Sequence, residues 1–92
     1  MPVSIQLPAV LREHTDGLAE LDADAEDVAA ALRALTRSYP RLQRHLFGDG
    51  GELRAYVNVY VNQDEVRDLS EGLSTPLRDG DVVLILPSVA GG

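Results

Sequence analysis

The group with the clearest chemical use sits in PSVAGG, Pro87 to Gly92, where a glycine α-carboxylate stands on a slim arm. Gly91 and Gly92 carry no side chains, so this carboxylate can pass down a narrow channel in a partner and meet a reagent there. Pro87 stiffens the root of the arm by fixing φ. Ser88, Val89 and Ala90 complete an extended stretch that reaches roughly 20 Å at about 3.3–3.6 Å per residue. The plain alternative is a frayed chain end with no role.

Other residue types offer less. His14 and His45 are the two imidazoles, and no HExxH-like spacing places them together on a helix face. Glu13, Asp16, Glu20, Asp22, Asp24, Glu26 and Asp27 cluster ahead of a helix, where solvation and capping account for them. Asp79 and Asp81 flank Gly80 without the distal glutamate of a calcium loop, so DGD reads as a tight turn. GDGG, Gly48 to Gly51, is not followed by Lys-Ser/Thr and reads as a mobile loop, not a phosphate cradle. Without cysteine there is no thiolate nucleophile or thiolate metal site. The residues present therefore predict a protein that is not itself an enzyme and binds no metal or cofactor.

A body is needed to carry the arm, and the pattern supplies one. VSIQL alternates, with Val3, Ile5 and Leu7 on one face, and Pro8 closes this first strand. After the polar turn EHTDG, Leu18 to Leu21 reads as a second strand returning as a hairpin. The period then changes to that of a helix, with Asp24 as its cap, Pro40 as its end, and Val28, Ala31, Leu32, Leu35 and Tyr39 on one stripe. RLQRHLF adds a short helical turn. AYVNVYVN, Ala55 to Asn62, is a strand with Val57, Val59 and Val61 inward and Tyr56, Asn58 and Tyr60 outward. DEVRDL reads as a short edge strand and STPL as a turn. VVLIL, Val82 to Leu86, is a strand whose composition alone permits burial on both faces.

This order predicts an α+β fold with one main helix on one face of a mixed sheet, the first and last strands paired in parallel at its centre. The 92 residues suffice for one domain, expected over residues 1–86 with an extended tail over 87–92. A net charge of −7 argues against nucleic acid and anionic membranes as partners. MPVSIQLPAV has neither a basic n-region nor a continuous apolar run, which predicts a cytoplasmic protein. All eight basic residues are arginine, so no side-chain amine is present to attack an activated carboxyl group.

VNVYVNQDEVRDL followed by TPLRDGDVVLILPSVAGG resembles the MoaD/ThiS family of ubiquitin-like sulfur carriers. Their hallmark xxLxDGDxVxxxPxVAGG matches from Leu77 to Gly92, with Ser88 where molybdopterin-type members usually carry a second proline. The extra length and the VNVYVN strand look most like the actinobacterial CysO type, which serves cysteine biosynthesis. The resemblance implies a β-grasp roll of about four to five strands. It implies that an E1-like adenylating enzyme uses MgATP to activate the carboxylate of Gly92, and that sulfur then replaces AMP to leave a thiocarboxylate. A sulfur-accepting synthase, and a metalloprotease that releases a cysteinyl product, are the further partners it implies. Superposing the glycine termini of such folds turns Val83 and Ile85 inward, and sets Leu84 and Leu86 outward beside Tyr56, Asn58 and Tyr60 as a partner-binding patch. Other sulfur-transfer pathways, the small subunit of molybdopterin synthase, a protein modifier and an interaction module with an unmodified tail stay open.

Overall fold

The computed structural model describes residues 2–87. Its five strands are β1 (Val3–Gln6), β2 (Glu20–Ala23), β3 (Val57–Val61), β4 (Asp64–Glu65) and β5 (Val82–Pro87). They form one sheet in the order β2-β1-β5-β3-β4. β1 and β5 pair in parallel at its centre, as the sequence predicts, and the other neighbours are antiparallel. The main helix α1 (Val28–Ser38) and the short α2 (Gln43–Leu46) follow the first hairpin. This is the β-grasp arrangement.

The core follows from the alternation of the strands and the stripe of the helix. Val3, Ile5, Val57, Val59, Val83 and Ile85 on the sheet meet Val28, Ala31, Leu32 and Leu35 of α1, and all are buried. Each of these valine, leucine and isoleucine side chains contributes about 1.5–3 kcal/mol when taken out of water. Leu42 and Leu46 close one end of this core, while Arg33 and Arg37 stay off it.

Several local expectations shift, each for a visible reason. Asp27, not Asp24, caps α1, its Oδ1 accepting the Ala30 N–H at 2.8 Å. A start at Asp24 would wind residues 26 and 27 into the helix. Asp27 is instead extended and bridges Pro76, while Glu26 O accepts from Leu77 N–H and Val28 N–H donates to Thr75 O. This pairing also turns the expected STPL turn into a 3₁₀ turn over Gly72–Ser74 followed by a short extended segment.

β2 begins two residues later than Leu18 because a turn consumes Leu18. The buried Thr15 hydroxyl donates to Leu18 O at 3.0 Å, and Asp16 and Gly17 both take positive φ. The polar stretch before it is partly a 3₁₀ helix, Ala9–His14, which plants Leu11 in the core. DEVRDL pairs only at Asp64 and Glu65, since Val66 dives into the core through a 3₁₀ turn, Val66–Asp68. GDGG is a closed turn, not an open loop. Gly48 N–H donates to Glu52 O at 2.8 Å, and Phe47 bridges Leu53.

Candidate functional site

β5 leads to the proposed arm, and its setting defines the root. The DGD turn before it is braced from β3. Asn62, at φ 58°, donates from its Nδ2 to Asp81 Oδ1 at 3.1 Å and accepts the Val82 N–H on its own Oδ1 at 3.0 Å. Asp81 also accepts the Arg78 N–H at 2.9 Å. These bonds, with the backbone bond from Arg78 first, hold its carboxyl below the usual 3.8. β5 then runs one residue past the Leu86 end expected for it, and Pro87 lies opposite Val57. Ser88, Val89, Ala90, Gly91 and Gly92, the rest of the arm, lie outside the described residues.

The outer sheet face brings most of the expected patch together. Asn58 lies opposite Leu86, and Tyr60 opposite Leu84, across the β3–β5 pair. Val59 and Ile85, between them in register, are fully buried beneath. Leu84 also pairs with Gln6 of β1. Leu86 is 40% exposed and Tyr56, just ahead of β3, is 42% exposed, whereas Asn58, Tyr60 and Leu84 are half-buried. VVLIL is thus buried on one face only, because no second layer among the described residues covers the other. Glu20 and Asp22 of β2 set an acidic margin across β1 from this patch.

Two side-chain arrangements had no sequence signal. The rings of His14 and His45 stack at 4.0 Å, joining the 3₁₀ helix before β2 to α2. His14 Nε2 stands 3.4 Å from Glu13 Oε1, while His45 Nε2 is buried without a hydrogen-bond partner. Burial foremost, then His14 and Arg44, push His45 below the usual 6.5. At the other corner, Arg67 spreads its guanidinium over Val57 O at 2.9 Å and Arg54 O at 2.8 Å. Neither arrangement is foreseeable from spacing, since each joins elements far apart in the chain.

Among the described residues no group of three or more His, Asp or Glu side chains is placed to hold a metal ion, and no helix is long and apolar enough to cross a membrane. What the geometry offers is a braced strand ending at Pro87 beside an uncovered aromatic and aliphatic face.

Comparison with known proteins gives this geometry its relatives. The profile of the ThiS family matches residues 5–92. The sulfur carrier protein CysO of Mycobacterium tuberculosis is 39% identical over 94 residues, covering all of both chains. Small archaeal modifier protein 3 of Haloferax volcanii is 44% identical over 72 residues, 78% of this chain and 75% of that one. Among solved structures, one from the BexX/CysO complex of Amycolatopsis orientalis matches with a TM-score of 0.86 and 34% identity, over 98% of this chain and 99% of that one.

Proposed function

The chain belongs to the ThiS family, and from that membership we propose that it is a sulfur carrier whose reactive group is the carboxyl of Gly92. The observation that carries the reading is the full-length likeness to CysO together with the DGDxVxxxPxVAGG ending that this chain shares with the family pattern.

A carboxylate is a poor electrophile, so activation comes first. An E1-like enzyme joins the Gly92 carboxylate to ATP with Mg²⁺, forming the acyl-adenylate and releasing pyrophosphate. Hydrosulfide adds to the acyl carbon and expels AMP. Where a protein persulfide attacks instead, the acyl disulfide it forms is cleaved by a second thiol, which is oxidised to a disulfide with the donor as the thiocarboxylate is released. The C-terminal thiocarboxylate that results is a strong sulfur nucleophile, which a sulfur-accepting synthase directs at its small-molecule substrate. Cysteine biosynthesis is the pathway favoured by the CysO likeness, with release of the product by a metalloprotease. In this scheme the chain is a co-substrate of its partner enzymes.

The outer face suits the docking role. Tyr56, Asn58, Tyr60, Leu84 and Leu86 give a compact aromatic and aliphatic surface of the kind enriched at interface cores. A body held there leaves the arm free to enter the active site of the enzyme.

Mass spectrometry tests the reading. The chain is incubated with an E1-like adenylating enzyme, MgATP and sulfide, and its C-terminal peptide is weighed. Replacement of one oxygen by sulfur at Gly92 supports the carrier. Amide adducts between Gly92 and lysines of other proteins would instead support a modifier, the reading favoured by the likeness to small archaeal modifier protein 3. An unmodified terminus under all conditions would defeat both.

A further inference from the structure

Arg67 lies at the one rung of the sheet from which the arm departs. β4 covers just the far end of β3, pairing Asp64 and Glu65 with Val61 and Tyr60. The near end, Val57, faces Pro87 on one side and no strand on the other among the described residues. Bonded pairs in this ladder alternate from Asn62 opposite Val82, so Val57 and Pro87 form a non-bonded rung and Val57 turns its N–H and C=O away from β5. The position of Val57 therefore depends on what holds its free side.

Arg67 holds it. Nη1 donates to Val57 O at 2.9 Å, and Nη2 donates to Arg54 O at 2.8 Å. Arg54 O already accepts the Val57 N–H at 3.0 Å, so the guanidinium closes both ends of the turn over residues 54–57. Glu65 completes the clamp, its Oε1 lying 3.1 Å from Nη1 and its Oε2 accepting the Arg67 N–H. Nη1 also reaches Asn58 Oδ1 at 3.5 Å. A planar fork is pre-organised to span two carbonyls in this way, whereas a lysine ammonium is a compact point charge without that fork geometry.

We infer that Arg67 is a positioning residue for carboxyl activation. By clamping Arg54 to Val57 it fixes the strand opposite Pro87, and so sets the direction in which the arm leaves the body. The inference rests on the carrier reading. It separates two tasks by place, since the outer face governs docking while the clamp governs whether a docked chain presents its carboxyl productively.

The test compares Arg67→Ala and Arg67→Lys with the unchanged chain, using the E1-like enzyme and pyrophosphate exchange as the readout. Hydrogen exchange of residues 54–57 is followed in parallel. Both variants should exchange faster there. kcat should fall by about tenfold, short of the ~10²-fold that a misplacement of 1 Å can cost. KM for the carrier should stay within about twofold, as expected when an interaction is realised at the reaction and not in docking. Arg67→Lys keeps the charge, so its matching the alanine variant identifies the fork as the cause, and it serves alone if Arg67→Ala does not fold.

Faster exchange at 54–57 with unchanged kcat would overturn the inference while leaving the carrier reading intact. So would a raised KM that Arg67→Lys restores, because Arg67 would then be a charged docking contact. Failure of the unchanged chain to support any exchange would remove the carrier reading and this inference with it.

Discussion

Tyr60 and Leu84 stand opposite each other across the β3–β5 pair, on the face of the sheet turned away from α1. Gln6 flanks Leu84 on its other side, so this leucine is hemmed in while Leu86, two residues on, is 40% exposed. The difference decides how the docking face should be probed. Leu86→Asp adds a charge to open surface, where substitutions usually stay within about 0.5 kcal/mol of neutral. Leu84→Asp sits between two neighbours and should cost about 1 kcal/mol more, with the domain still folded by circular dichroism. Either variant should weaken binding to the E1-like enzyme by about tenfold or more, equal to about 1.4 kcal/mol. Full affinity of a folded Leu86→Asp, coupled with unfolding of Leu84→Asp, would mean that the face is structural and not a docking surface.

The cap of α1 makes a second, purely structural prediction. Asp27 Oδ1 accepts from Ala30 N–H at 2.8 Å, and Asp24 lies three residues earlier, ahead of the bridge from Asp27 to Pro76 that precedes the helix. Asp27→Ala should therefore lower stability to urea by about 0.5–2 kcal/mol. Asp24→Ala should stay within about 0.5 kcal/mol of the unchanged chain. Reversed effects would return the helix start to the earlier aspartate.

The contrast between these two aspartates shows what the sequence discloses. Period and polarity identify the strands at Val3 and Val57, the helix stripe from Val28 to Leu35, and the inward choice of Val59, because each depends on alternation within one segment. The inward choice of Ile85 comes from the family resemblance, since VVLIL is apolar throughout. The parallel pairing of β1 with β5 also follows from the order of elements. Boundaries set by tertiary contacts escape such reading: Leu77 reaching Glu26 moves the cap, and the Thr15 hydroxyl on Leu18 delays β2. The Arg67 clamp is hidden for the same reason, as its acceptors lie ten and thirteen residues away on another element. Membership of the ThiS family was legible through the terminal motif, and the carrier reading proposed from it depends on that motif and not on any pocket.

Acid should loosen the molecule in two separable steps. His45 is held below 6.5 by burial, by the His14 ring stacked on it, and by Arg44 and Arg54, with Glu13 opposing. The unfolded chain then takes up this proton first as pH falls, so the stability contributed by neutral His45 is complete above 6.5 and is lost as pH drops from 6.5 towards the folded value. Asp81 behaves alike at lower pH. Its contribution is present above 3.8 and is lost as pH falls through its depressed folded value. Urea melts across pH should show both slopes. His45→Leu should flatten the first and keep the second, and Asp81→Asn should do the reverse. A first slope that survives His45→Leu would assign it to another group.

The last prediction concerns the tip, where a single methyl separates two accounts of the terminal glycines. If they are there to pass a close-fitting channel in the E1-like enzyme, Gly92→Ala places a Cβ against its wall beside the reacting carboxyl. Overpacking of that kind costs about 1–3 kcal/mol, which slows thiocarboxylate formation by about five- to 150-fold. The fold should not register the change, because Gly92 lies beyond β5 and its pairing with β3. The rate is read by mass spectrometry of the C-terminal peptide over time, with thermal melting as the control. An alanine variant that acquires sulfur as fast as the unchanged chain would show that slimness at this position is not what activation requires.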